Sequence, residues 1–390
     1  LYNSLAHRTT WLRSDFWIQG GIVPSLIYYG LRMIHPNIFL VTIFLVCSIC
    51  AVATGSSWTI IGTLGIAAIG ISQGIGIPVY ITAGIVVSAA YFGDKLSPLS
   101  DTPNLHCAIV GVNLFENFKN VLRNTLPSYF IALILCVVVG LCYQTENGGS
   151  LSEIQLMTET LAENFVISPW LILPVLTVFA VILLKIPAIP GILFMAFICA
   201  FCGIFVQGET IAEVMKTAYS GFVGNTEVEM VNSLLSRGGI LSMMPTVLLI
   251  FCAVSYGGVL EVSGILQFFL ERMMRFVKKD ETLITLTVIS CVVVNLFAMD
   301  NYVTAVICGN MFQDAYVERG LSPLNLTRCL AESASVVSPL IPWNTCGIVV
   351  FGMLGISPLQ YGPYAFLCWL APIMVILLSH WKIGLVYLEK

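Results

Sequence analysis

Charge is scarce in this chain. Its 390 residues hold 17 Lys or Arg and 21 Asp or Glu, 10% in all, where a soluble domain carries about 25%. The scarcity is also segregated. No charged residue occurs from Pro36 to Gly93, Asn124 to Thr145, Asn164 to Leu184, Ile186 to Gly208, Gly238 to Leu260, Leu283 to Met299 or Ser333 to Trp381. A helix needs about 20 apolar residues to cross a bilayer. These windows exclude a soluble domain and predict an all-α polytopic membrane protein.

Other things are missing too. The net charge of −4 is small, and no basic stripe points to nucleic acid. There is no zinc spacing and no phosphate-binding loop. Leu1–Phe16 is polar and lacks the apolar h-region of a signal peptide. With Leu rather than Met at position 1, segment 1–16 is expected to be the start of an N-terminally truncated piece. The 13 cysteines include Cys47-x-x-Cys50 and Cys199-x-x-Cys202. Both pairs lie in charge-free helices, where small polarizable side chains pack, so no disulfide framework is implied.

What is present is a matched pair of polar breaks. The first runs Gly93-Asp94-Lys95-Leu96-Ser97-Pro98-Leu99-Ser100-Asp101-Thr102-Pro103-Asn104, and the second Ser338-Pro339-Leu340-Ile341-Pro342-Trp343-Asn344-Thr345. Both hold Ser-Pro-Leu, a second proline and then Asn, between apolar runs too short to span alone. Irregular backbone at membrane depth survives only where protein or a water-filled cavity lines it. Two such breaks in corresponding halves point to a transporter's binding site.

The pattern predicts a first repeat over 17–143, with a re-entrant hairpin at 36–74 and a broken helix at 81–112. Loops and connecting helices follow over 144–256, with Gln144–Phe165 as a polar loop and Leu126–Tyr143 as a plain span. A second repeat covers 257–390, with a hairpin at 283–312 and a broken helix at 329–354. Leu260–Lys279 ends in basic residues and reads as a surface helix. Four full spans and one hairpin separate the broken helices. That even number makes the repeat inverted, as alternating access about a midplane site requires. Matching Ser97 to Ser338 sets an offset of 241 (338 − 97).

Basic residues orient the chain. Lys119, Arg123, Lys185, Arg272, Arg275, Lys278, Lys279, Arg319, Arg328, Lys382 and Lys390 fall on one face, and Arg32, Lys216 and Arg237 on the other. The positive-inside rule places the first face, and the C-terminus, in the cytoplasm.

Ionisable residues at membrane depth are functional candidates by default. Asp94, Lys95 and Asp101 sit at the first break and Asp300 at the second hairpin tip. Asp94 and Lys95 could also neutralise each other and merely tune the break. Around them lie hard oxygen donors: Ser57, Ser97, Ser100, Thr102, Asn104, Asn344 and Thr345. Such donors suit a small hard cation, although many Ser, Thr and Asn side chains at helix ends simply cap backbone. A carboxylate among them can hold a cation or a proton, but not both. Glu332 is either a third carboxylate or a residue of the cytoplasmic interface. His106 is a packing residue or a proton relay.

At these residues the chain resembles the NhaC-type sodium/proton antiporter family. The runs Ala53-Thr-Gly-Ser-Ser-Trp-Thr-Ile-Ile-Gly-Thr-Leu-Gly, Ala90-Tyr-Phe-Gly-Asp-Lys-Leu-Ser-Pro-Leu-Ser-Asp-Thr and Val337-Ser-Pro-Leu-Ile-Pro-Trp-Asn-Thr-Cys-Gly carry the resemblance, with Val23–Gly30 and Gly309–Tyr316. It implies an inverted-repeat transporter fold, exchange of Na⁺ for H⁺ and a homodimer. The same family includes exchangers of malate or lactate. Thr102-Pro103-Asn104-Leu105-His106 departs from the family's usual Thr-Thr-Asn-Leu-Ala.

The expected function is Na⁺/H⁺ exchange across the cell membrane without a cofactor, Na⁺ and H⁺ being the cargo. Asp101, Thr102, Asn104 and Asp300 are the expected Na⁺ site, with Ser57, Asn344 and Thr345 as further neutral ligands. The alternative is a Na⁺/H⁺-coupled carboxylate exchanger. A hydrolase using Ser97 or Ser100, His106 and Asp101 is a third reading, in which the repeat has no role. A non-transporting sensor is a fourth.

Overall fold

The computed structural model describes residues 16–33, 38–97, 100–144, 151–174, 188–228, 240–264 and 279–388, with single positions at 177, 231, 232, 235, 236 and 268. Among these residues every long element is a helix; Leu321 and Tyr387 form an isolated antiparallel bridge. The chain is therefore an all-α polytopic membrane protein. Segment 1–15, Pro98, Leu99, Lys185 and the basic run from Arg272 to Lys278 lie outside the described residues, as does most of the proposed surface helix.

Helices α1 (Ile22–Met33) and α2 (Phe39–Thr54) come first. Ser57–Ile60, a π turn at Ile61–Gly65 and Ile66–Gly74 run on as one helix, α3. α4 (Val79–Leu96) and α5 (Asp101–Val110) flank the first break. Then follow α6 (Leu114–Gln144), α7 (Leu151–Asn164), α8 (Ala188–Phe205), α9 (Ile211–Ser220) and α10 (Ile240–Ser263). α11 (Asp280–Ala298) and α12 (Asn301–Glu318) form the second hairpin. α13 (Leu324–Cys329) continues through a π turn at Leu330–Ser335 and a 3-10 turn at Ser338–Leu340, and α14 (Thr345–Leu354) follows the second break. α15 (Phe366–His380) is last.

Length sorts these helices. Residues 114–143 and Asp280–Ala298 are long and apolar enough to cross a membrane alone. The segments either side of the second break bend by 47°. α2 has 16 residues, about 24 Å at 1.5 Å per residue, short of the roughly 30 Å hydrocarbon core. On α6 the exposed Phe130, Ile134, Val138 and Leu141 form one outward stripe, the face a bilayer would cover.

The hairpins turn by the same device. Gly55 (φ 63°) closes α2 in the left-handed conformation, and Met299 (φ 59°) closes α11. Ser56 then caps α3 and Asp300 caps α12. The breaks match as well. Ser100 caps α5 and Asn344 caps α14, each accepting from the backbone N–H two residues on, and Gly111 and Gly355 end those half-helices in the left-handed region. All these pairs share one offset of 244 (299 − 55, 300 − 56, 344 − 100, 355 − 111). The offset of 241 is thus corrected. In the second half of the chain Ser338-Pro339-Leu340 belongs to the incoming helix, and at the offset of 244 Ser97 corresponds to Ile341, both extended.

Three other expectations change. The first break is narrower than Gly93–Asn104, because α4 stays helical to Leu96. Gly93 serves packing: a Cβ there would lie 2.3 Å from Ala51 Cβ and 2.4 Å from Val52 N, so glycine lets α2 press against α4. The plain span begins at Leu114 rather than Leu126. The polar loop Gln144–Phe165 contains a helix, α7, whose Met157 and Leu161 are buried. Its apolar residues recur at helical spacing, and burial of that face stabilises it despite the polar composition.

Candidate functional site

Four chain ends converge through side chains: the two hairpin tips and the two breaks. Asp94, in the last turn of α4, is buried. Its carboxylate accepts from Ser100 Oγ at 2.8 Å and from Ser57 Oγ at 3.3 Å. The first turn of α3, the end of α4 and the cap of α5 thus meet on one carboxylate.

Lys95 points elsewhere. Its Nζ donates to Glu332 Oε2 at 2.5 Å, with the two side chains only 1% and 0% exposed. Thr125 Oγ1, on α6, donates to the other oxygen of Glu332. The Asp94–Lys95 neutralisation is therefore corrected, and Glu332 is not an interface residue but a fully buried one. The cause lies in helix geometry: consecutive residues point about 100° apart, so Lys95 reaches the π turn after α13 while Asp94 faces the first hairpin. This pair joins the two broken helices. Asp94 is left with hydroxyl donors and no ion pair among the described residues.

The second tip is built on Asp300. One carboxylate oxygen caps α12, accepting from Tyr302 N at 2.8 Å and Val303 N at 3.1 Å. The other accepts from Thr345 Oγ1 at 2.9 Å. Thr345 N in turn donates to Met299 O at 2.8 Å, clamping α14 onto the tip. A carboxylate at a helix N-terminus is favoured by the unpaired N–H groups and the dipole.

Asp101 is exposed, and its Oδ2 accepts from Tyr302 OH at 2.6 Å. Tyr302 therefore links the second hairpin tip to the first break: its backbone N–H holds Asp300 and its hydroxyl holds Asp101.

Of the residues singled out from sequence, Ser57 and Asp94 touch, as do Asp300 and Thr345, and Asp101 joins the second group through Tyr302. Thr102 is buried in the first turn of α5, its backbone N–H donating to Ser100 Oγ. Asn104 Nδ2 donates to Ser100 O at 2.6 Å. Asn344 caps α14, and its amide lies 3.2 Å from Asn295 Oδ1. These last three brace the breaks. His106 lies 3.2 Å from Ser335 Oγ through Nε2, joining α5 to the π turn after α13. Sequence reasoning missed Tyr302, Asn295 and Thr125, none of which differs in type from ordinary helix residues.

Broken helices with carboxylates and hydroxyls at their ends, inside an apolar helical body, define an ion-coupled membrane transporter. The comparisons agree in kind. The profile of the Na⁺/H⁺ antiporter family matches residues 19–102 and 89–383. An uncharacterised Na⁺/H⁺ antiporter of Haemophilus influenzae is 38% identical, covering 96% of this chain and 81% of its own length. The malate-2H⁺/Na⁺-lactate antiporter of Bacillus subtilis is 37% identical over 91% of this chain and 76% of its own. The Na⁺/H⁺ antiporter NhaC of Alkalihalophilus pseudofirmus is 35% identical over 94% and 79%. The chain belongs to the Na⁺/H⁺ antiporter family.

Proposed function

We propose that the chain exchanges Na⁺ for H⁺ across the cell membrane, with Asp94, Asp101 and Asp300 as the titrating, cation-binding carboxylates. One observation carries the reading: Asp94 is buried between the hydroxyls of Ser57 and Ser100 while its neighbouring ammonium is engaged by Glu332. A buried carboxylate without a fixed counter-ion must hold a proton or a cation, and competition between the two is exchange. Thr345 serves Asp300 in the same way. Thr102, Asn104 and Asn344 hold the half-helices that present these groups, and Lys95 holds the broken helices together.

The repeats span 17–143 and 257–390, run in opposite directions and carry re-entrant hairpins. The C-terminus is cytoplasmic and the assembly is a homodimer. These statements rest on the charge bias, the matched caps and the resemblance. The exchange needs no cofactor.

A second reading is a Na⁺/H⁺-coupled exchanger of small carboxylates. It is favoured by the likeness to the malate/lactate antiporter, and by two half-helix N-termini, at Ser100 and Asn344, that could face an anion. Proton flux in sealed vesicles, after NaCl, KCl, malate and lactate in turn, separates the two. Flux on NaCl alone supports Na⁺/H⁺ exchange; flux only with an organic acid present supports the second reading.

A further inference from the structure

Between α6 and α13 lies a buried polar seam that the ion site does not use. Along α13 and the π turn that continues it, its members recur once per turn, at Leu324, Arg328 and Glu332, and on α6 they meet Asn120, Asn124 and Thr125. Asn120 Nδ2 donates to Leu324 O at 2.6 Å. One turn on, Asn124 and Arg328 both lie beside Gly384, which sits past the end of α15: the Arg328 Nη1 donates to Gly384 O at 2.5 Å, and Asn124 Oδ1 would be 3.7 Å from a Cβ there. One turn beyond Arg328, Glu332 accepts from Thr125, the residue next to Asn124 on α6, and binds Lys95. Lys95 adjoins Asp94. The seam thus runs from the C-terminal end of the molecule to the backbone of the ion site.

The first two rungs are only partly satisfied. Asn120 Oδ1, both amide atoms of Asn124, and Nε and Nη2 of Arg328 are buried and have no hydrogen-bond partner among the described residues. Nε and Nη2 form one edge of the guanidinium fork, and Arg328 is 0% exposed. Buried polar atoms are ordinarily paired, and unmet ones carry the full desolvation cost. Five such atoms on two facing helices disfavour this closed arrangement relative to one in which water reaches them. Ionisable residues at membrane depth face the bundle interior or a water-filled cavity, and mark ion pathways.

We propose that the α6–α13 seam is the aqueous access route to the ion site, closed in this conformation and opened in the other by separation of α6 from α13, with the Lys95–Glu332–Thr125 cluster as its inner limit. The route opens at the end of the molecule where α15 finishes. It deepens the exchange reading by placing one of its two mouths.

The test uses Asn124, whose amide makes no bond and can be replaced by the similar-sized leucine. In the proposed device Asn124→Leu relieves the closed state alone. It raises the melting temperature of the detergent-solubilised protein and slows exchange about tenfold, the shift that one unmet polar group is worth in a two-state equilibrium. Half-saturating Na⁺ in equilibrium binding stays the same, because the ion ligands are untouched. Unchanged or lower stability with wild-type exchange overturns the proposal, as does faster exchange. A second variant guards against loss of activity for other reasons. Asn124→Cys, compared with the parent protein, is labelled by an impermeant thiol reagent from the C-terminal side only, and faster when Na⁺ drives turnover. No labelling from that side, or labelling from the opposite side, also overturns it. Failure of Na⁺-driven flux in the parent protein sinks the exchange reading instead, and the two failures are distinguishable.

Discussion

Tyr302 holds Asp300 with its backbone N–H and Asp101 with its hydroxyl, at 2.8 Å and 2.6 Å. One residue of the second hairpin thereby fixes the distance between carboxylates from opposite halves of the chain.

Tyr302→Phe removes only the link to Asp101. A hydrogen bond to a charged group contributes about 1.5–3 kcal/mol. Without it Asp101 is held less firmly at the site, so half-saturating Na⁺ rises about tenfold. Proton flux over a range of Na⁺ concentrations checks this. An unchanged half-saturating concentration would show that Asp101 is not at the cation site.

The carboxylates themselves are tested by neutral isosteres. Asp94→Asn and Asp300→Asn, well inserted and folded, abolish Na⁺-driven proton movement, as does Asp101→Asn. In the wild type, apparent Na⁺ affinity falls as pH drops. A constant affinity from acid to alkaline pH requires separate sites for the two ions.

Glu332→Gln leaves the Lys95 ammonium buried without its counter-ion. Breaking one side of a buried pair costs about 3–5 kcal/mol. Thermal unfolding in detergent therefore shifts strongly downward. Replacing both residues together with Met recovers most of the loss, because the desolvation of both charges disappears at once. Equal destabilisation by the single and double variants would show that the pair is not the source.

Gly93→Ala puts a methyl 2.3 Å from Ala51 Cβ and 2.4 Å from the Val52 nitrogen. α2 must move away from α4, at the roughly 1–3 kcal/mol that overpacking costs. The first tip carries Ser57 toward Asp94, so transport falls with stability. Melting temperature and flux measured together check it.

The membrane class was legible because charge-free windows are long and few other structures tolerate them. The tips at Gly55 and Asp300 were legible because polar residues interrupt those windows. The register between the halves was not. Ser-Pro-Leu recurs by composition, but its second copy sits in a 3-10 turn of the incoming helix, while the caps Ser100 and Asn344 carry the structural match. Cap residues are chosen for one hydrogen bond and many types supply it. The partner of Lys95 was also hidden. Adjacent residues suggest a pair in sequence, whereas Glu332 lies 237 positions away and meets Lys95 only through packing of the two broken helices. α7 was masked by its glutamates, since composition speaks for exposure of one face and not for absence of helix.

Ser56 and Asp300 hold the same place at the two tips, one a hydroxyl and the other a carboxylate. A machine of two identical halves would rest equally open to either side. Here only one of the two tip caps carries charge, so an exchanger working by inverted halves is expected to prefer one face when empty and to saturate at different concentrations on the two sides. Microscopic reversibility forbids that preference from rectifying flow: the gradients alone decide which way net exchange runs. What the misplaced charge can set is how hard each gradient must push before the cycle turns.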